Sequence, residues 1–321
     1  MSGTSVIDNL IGIVGQDDVL TESGLKGLGY DRPIIVVRPF AEEQVSEILK
    51  LAAIESLAVI PRGSGTKMQL GNNPERADII LSTKKLCRII EHASSDLTVT
   101  SESGVTIGEL NDELAKESQF VPIDCPEMEL STIGGVISTN ASGSLRLRYG
   151  TARELLIGLR IVKSDGTVFK GGSKVVKNVA GYDMPKLYVG SLGTLGLVTE
   201  ATFRLYPVPE YSENCVASFD SAENCSEAIS SLLRSDLALS ALDRVDQNLM
   251  KLAAENCGLD IKGGNSCLAA RVMNVEKAVK TQIAEVSSVC GSNGGNCSVV
   301  KENEEAALWD IFREFTRLNE T

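Results

Sequence analysis

Residues 61–71 read PRGSGTKMQLG, three glycines and two small hydroxyl residues set directly behind the apolar run LAVI. Such a loop lets backbone N–H groups come close to a ligand, because glycine carries no Cβ and adopts positive φ at little cost. The spacing is not that of a P-loop, and Met68 stands where the third glycine of G-x-G-x-x-G would fall. Alone, the stretch needs no ligand, since a tight turn uses the same residue types. Two further stretches repeat the pattern. STIGGVISTNASGS (131–144) is almost wholly Gly, Ser, Thr, Ala and Asn, with Gly134 and Gly135 adjacent, and GSLGTLGLVTEA (190–201) follows the same theme. Small residues at this density cannot fill a core. All three stretches alternate with strong β or helical signals, as flexible linkers do not, and the chemistry they suit is the binding of an extended, phosphate-bearing cofactor.

Groups for acid–base or metal chemistry are sparse. The one histidine, His92 in IIEHASS, falls between two expected strands and outside all three stretches, so it reads as a surface or turn residue. No histidine-based metal site is expected. The eight cysteines (Cys87, Cys125, Cys215, Cys225, Cys257, Cys267, Cys290, Cys297) contain no C-x-x-C pair and read as reduced structural thiols. Iron–sulfur chemistry, where the function needs it, is expected on another chain.

The net charge of −12 argues against nucleic acid, whose binding rests on clustered Lys and Arg, and against an anionic membrane surface. No apolar run reaches the roughly 18 residues of a membrane span. The first 20 residues carry three Asp and no basic segment, unlike a signal peptide. The expected location is cytoplasmic, with a membrane reached only through partners.

The elements that must position the loops follow from periodicity. RPIIVVRP reads as a buried strand and AEEQVSEILKLAAIES as a helix with Val45, Ile48, Leu49 and Ala52 on one face. LAVI is the next strand, so the first loop falls at the carboxyl end of a strand in a βαβ pattern, where α/β folds place ligands. ADIILST and LTVTSESG read as strands. TIGELNDELAKES reads as a helix with Thr106 at its N-cap and Glu109 completing a capping box. LLIGLRIVKSDGTVFK reads as two strands about the turn SDG. After YPVPEY the glycine-dense loops stop, and two β-α-β units follow: NCVASF, AENCSEAISSLLRS, LSALDRVD, then CLAARVM, VEKAVKTQIAEVSSVC, NCSVV. That order predicts a small ferredoxin-like α+β sandwich. A closing amphipathic helix aligns Leu308, Phe312 and Phe315. The expected domains are 1–208 and a short α+β cap, 209–321.

PRGSGT, GVTIGEL, STIGGVISTNASGS, RYGTARELLIGLRIVKSDGTV and GSLGTLGLVTEATFRLYP stand in the order found in FAD-binding domains of the vanillyl-alcohol oxidase/p-cresol methylhydroxylase (PCMH) type. The resemblance covers roughly residues 30–208. The segment GGSKVVKNVAGYDMPKLYVGSLGTLGLVTE (171–200) narrows it: it resembles the FAD-binding subunits of the multi-subunit bacterial glycolate oxidases. This implies an α+β fold in which two subdomains clasp FAD, followed by the cap. By motif matching, Arg62, Gly63, Ser64, Gly65 and Thr66 would give main-chain donors to the pyrophosphate. Thr132, Gly135, Thr139, Asn140 and Ser142 would line the flavin and ribityl chain, Val198 would touch FAD by its backbone, and Tyr149 and Gly150 would lie close by. With no histidine in these motifs the FAD is expected to be non-covalent.

The resemblance implies an FAD-dependent oxidoreductase acting on CH–OH groups, working within a complex. A larger FAD-containing subunit would oxidise a small 2-hydroxy acid of the glycolate or D-lactate kind, and an iron–sulfur subunit would carry electrons onward. No catalytic base is assigned. Arg148, Arg153, Lys174 and Lys177 read as solvated charges. The alternatives are a stand-alone small dehydrogenase using Tyr182 or Asp183 as base, and a scaffold subunit that has lost its flavin.

Overall fold

The computed structural model describes residues 3–25, 30–172, 182–258 and 264–318. They form two compact units: Met1–Val121, Glu127–Ala141 and Thr151–Tyr206 in the first, Pro122–Pro126, Ser142–Gly150 and Pro207–Thr321 in the second.

The first unit holds two sheets. In the four-stranded one the order is Val19–Leu25, Tyr30–Val37, Ile79–Ser82, Val59–Arg62. Tyr30–Val37 and Val59–Arg62 both run parallel to Ile79–Ser82. The expected βαβ arrangement is therefore present, but the two strands flanking the helix are not neighbours: Ile79–Ser82 lies between them. It takes the middle because it is the most apolar, with every residue buried. Ile79 and Leu81 face the helices Gly3–Val14 and Glu42–Ile54, where Leu10, Val45, Ile48 and Leu49 complete the core. Ile80 faces the opposite way, onto Ile34, Val36, Ile60 and Met68. Met68 of the first glycine loop is thus anchored in a core.

The five-stranded sheet is antiparallel throughout, in the order Ile89–Ala93, Thr98–Glu102, Leu197–Arg204, Leu156–Val162, Val168–Gly172. The helix Ile107–Ala115 starts as its sequence dictates. Thr106 Oγ1 accepts from Glu109 N at 3.1 Å and Glu109 Oε2 accepts from Thr106 N at 3.0 Å. Glu42, at the start of its helix, accepts from Arg160 Nε at 3.0 Å and from Thr199 Oγ1 at 2.6 Å, which ties that helix to the five-stranded sheet.

The second unit carries an antiparallel sheet in the order Ala241–Asp246, Ser266–Asn274, Tyr211–Phe219, Asn296–Lys301. Numbered in chain order this is 2-3-1-4, the ferredoxin-like arrangement. Strand alternation divides its core. Cys215, Ala217 and Phe219 pack under the helices Ala222–Arg234 and Glu276–Ser292, whereas Val216 joins Met250, Leu308 and Trp309 on the other face. The helix Gln247–Cys257, which periodicity alone does not predict, supplies part of that second layer. Asp124 holds the Ser142–Gly150 stretch by accepting from Gly143 N at 3.0 Å and Leu145 N at 2.8 Å.

Candidate functional site

The sequence places the glycine loop at the carboxyl end of Val59–Arg62, and there the first unit opens a cavity of about 460 Å³. That lies within the roughly 300–1,000 Å³ of ligand clefts. Its walls come from all three small-residue stretches. Residues 62–68 form one wall, Thr132, Gly134, Gly135, Ser138 and Thr139 a second, and residues 192–194 with 196–198 a third.

Backbone hydrogen bonds hold the walls together. Gly190 N donates to Ile137 O at 2.9 Å and Leu192 N to Ser138 O at 2.8 Å, joining the second and third stretches. The first meets the second at Gly63, where an added Cβ would lie 2.1 Å from Thr132 Oγ1. Thr132 cannot retreat freely, because its Oγ1 caps the helix Ile133–Thr139 by accepting from Gly135 N at 3.3 Å. Gly134 is needed for protein packing, with an added Cβ meeting Ser103 at 3.0 Å, so of the glycine pair Gly135 is the one spared for a ligand.

The polar groups at the cavity fit an anion. Gly65 sits at φ +91°, and among the described residues the N–H groups of Gly63, Ser64, Gly65 and Thr66 donate to no protein acceptor. Consecutive open amides around a positive-φ glycine form an anion-binding concavity. Arg62 is engaged elsewhere. Its guanidinium makes a bidentate pair with Glu22, Nη1–Oε2 2.9 Å and Nη2–Oε1 2.8 Å, which holds the Glu22 carboxyl below its ordinary value. Lys67 also lines the cavity, its Nζ donating to Ser131 Oγ at 3.0 Å. Motif matching passes over Lys67 although it stands inside the first glycine loop. The Arg62–Glu22 pair has no sequence signal, because it joins two strands.

Thr139 Oγ1 donates to Gly135 O at 2.8 Å, and Val198 lines the third wall. Asn140 adopts φ 51° as the helix C-cap, and its buried Oδ1 has no hydrogen-bond partner among the described residues. It does not line the cavity, nor do Ser142, Tyr149 and Gly150, which belong to the second unit. There burial pushes the Tyr149 phenol up, with Arg148 stacked at 5.6 Å.

No acid–base pair meets the cavity. Its lining, among the described residues, holds no carboxylate, imidazole, phenol or thiol. Tyr182 is 94% exposed and Asp183 pairs with Lys186 at 2.7 Å. Lys174 and Lys177 lie outside the described residues. Two expectations need correction. His92 is inside the strand Ile89–Ala93 rather than between strands, with Nε2 2.9 Å from Gln119 Oε1, because the apolar alternation continues through it. Arg148 is not a solvated loop charge: it donates to Met273 O at 2.8 Å, satisfying a carbonyl at a strand end.

The fold is that of PCMH-type flavoproteins. The chain aligns with an alkyldihydroxyacetonephosphate synthase at TM-score 0.80 and 18% identity, over 99% of this chain and 66% of that one. It aligns with p-cresol methylhydroxylase at TM-score 0.76 and 17% identity, over 94% and 66%. Residues 33–172 match the FAD binding domain family and 208–320 the C-terminal domain of FAD linked oxidases, and the chain belongs to these FAD-linked oxidases. Curated relatives include the glycolate oxidase subunit GlcD of Bacillus subtilis, 30% identical over 86% of this chain and 59% of that protein. The probable mitochondrial D-lactate dehydrogenase of Danio rerio is 31% identical over 86% and 56%, and the D-lactate dehydrogenase of Archaeoglobus fulgidus 39% over 54% and 39%. The chain thus spans between two-fifths and three-fifths of these relatives. Among the described residues no helix is long and apolar enough to cross a membrane.

Proposed function

We propose that this chain is an FAD-holding subunit in a multi-subunit dehydrogenase or oxidase of small 2-hydroxy acids. In this reading a larger FAD-containing subunit meets the substrate and an iron–sulfur subunit takes the electrons. One observation carries it: a cavity walled by three small-residue stretches, with four open amides and a lysine, yet no group able to take a substrate proton.

The amides of Gly63, Ser64, Gly65 and Thr66 would hold the FAD pyrophosphate, with Lys67 supplying compensating positive charge. Glu22 keeps the Arg62 guanidinium turned to its own strand partner, so residue 62 serves by its backbone. Thr132, Gly135, Thr139 and Val198 would flank the flavin and ribityl chain, with Asn140 as a neighbour whose open Oδ1 remains to be satisfied. The same role for Ser142, Tyr149 and Gly150 rests on the resemblance alone. FAD, when bound, accepts a hydride equivalent and releases electrons singly or in pairs. Oxidising a 2-hydroxy acid also needs a base for the hydroxyl proton; its absence from the cavity lining favours a partner subunit. His92, engaged with Gln119, supports non-covalent attachment. The names of the curated relatives support the glycolate or D-lactate class.

The test is the absorbance spectrum of the purified chain, before and after anaerobic glycolate or D-lactate. Flavin bands that persist unbleached are expected. Bleaching would make the chain a complete dehydrogenase, and a protein that stays colourless after reconstitution with FAD would overturn the cofactor role.

A further inference from the structure

Cys215, Cys290 and Cys297 lie far apart along the chain, yet their sulfurs are all within 4.8 Å of one another. The second unit's topology brings them together. Cys215 stands in Tyr211–Phe219, and Cys297 stands opposite Ala217 in the paired strand Asn296–Lys301. Residues 215 and 217 share a face, so both thiols point to the layer of Glu276–Ser292. Cys290 ends the buried row of that helix, after Val279, Ile283 and Val286. Cys215 and Cys290 are fully buried, and Cys297 is partly exposed.

Polar neighbours gather on the same point. Cys215 Sγ lies 3.5 Å from Ser287 Oγ, and Cys297 Sγ lies 3.6 Å from Ser287 O. Donation from Cys215 and then Cys290 draws the Cys297 thiol down to about 3, while Cys290 is pushed up, chiefly by its hydrogen bonds to Cys215 and Cys297. One sulfur of the three is therefore held as thiolate.

We propose that Cys215, Cys290 and Cys297 form a three-thiolate site for a soft closed-shell cation of the Zn²⁺ or Cu⁺ class. At Zn–S distances of about 2.3 Å, three sulfurs around one ion stand about 3.8–4.0 Å apart, so the observed spacing needs an adjustment of under an ångström. A disulfide would need two sulfurs to close to about 2.05 Å and would leave the third over. Soft thiolate sets select such cations. Binding displaces the remaining thiol protons, with no change of oxidation state, so affinity rises with pH. The partly exposed Cys297 side gives the ion its entry. Bound there, the ion would cross-link two strands and the end of a helix. This inference is independent of the FAD reading.

The full chain, reduced and stripped with a chelator, is titrated with Cd²⁺ and followed by its sulfur-to-metal charge-transfer absorption as a difference spectrum. The absorption should saturate at one Cd²⁺ per chain, be displaced by Zn²⁺, persist in Cys87→Ser and disappear in Cys297→Ala. Cys87 is exposed and outside the cluster. Zn²⁺ should raise the melting temperature of the wild type and leave Cys297→Ala unmoved. A wild-type titration without a saturating band overturns the site, whether or not the variant folds. So does an unchanged band in a folded Cys297→Ala, or a disulfide within the trio found by mass spectrometry of protein purified without reductant.

Discussion

Gly63 and Lys67 stand four residues apart in one loop, and opposite properties make each matter. Gly63 matters for the atom it lacks, since a Cβ would press on Thr132 Oγ1 and through it on the helix cap. Gly63→Ala should lower FAD retention at least tenfold and cost about 1–3 kcal/mol of stability. The flavin-to-protein absorbance ratio and a denaturant curve measure both. Gly12→Ala is the control, because a Cβ there meets nothing within 4 Å and should stabilise its helix by about 0.5–1 kcal/mol. Lys67 matters for its charge. Removing a charge-assisted contact costs about 1.5–3 kcal/mol, so Lys67→Met should weaken FAD binding by roughly 10- to 100-fold. Its affinity for riboflavin, which has no phosphate, should be unchanged. Equal losses for the two ligands in a fluorescence titration would place Lys67 away from the pyrophosphate.

Among the elements, the helix Glu42–Ile54 illustrates how the site is braced from behind. Its first residue is bound by Arg160 and Thr199 of two adjacent strands, and Thr199 follows Val198 of the cavity wall. Burial raises the Glu42 carboxyl, but donation from Arg160 and Thr199 outweighs it, and the net position is below the ordinary 4.5. A carboxyl depressed in the folded state adds stability that is fully present above its unfolded value and is lost as pH falls through the folded one. Glu42→Gln should therefore destabilise by about 2 kcal/mol at pH 7. The gap from wild type should narrow once the pH drops below 4.5. Urea denaturation of both proteins at neutral and acid pH gives the comparison, and a gap constant with pH would show that shape, not charge, is what Glu42 contributes.

For the whole molecule, the large charge of −12 makes a cationic, amide-lined cavity a local exception, and ligand binding must be felt globally. A ligand that binds only the folded state stabilises it by about 2.7 kcal/mol at one hundred times its Kd. Saturating FAD should accordingly raise the melting temperature by about 5 °C or more. Riboflavin at the same concentration should give a smaller rise, since it leaves the four loop amides without a phosphate. Differential scanning fluorimetry reads both, and identical shifts would mean that the loop does not hold the pyrophosphate.

The sequence by itself determined what depends on short range. The capping box of Thr106 and Glu109, the 3.6-residue row of Val45, Ile48, Leu49 and Ala52, and the order of the ferredoxin-like unit are all encoded within a few residues of each other, and they formed as read. The three small-residue stretches were equally legible, because a run of Gly, Ser and Thr has no other use in a core. Only the tertiary structure decided what lies across the chain. It put Ile79–Ser82 between two strands expected to be neighbours, paired Arg62 with Glu22, grouped Ser142–Gly150 with the second unit, and gathered three cysteines that no local spacing connects. Periodicity reports which face of an element is buried, but not against which partner. That choice is made by packing among elements distant in sequence.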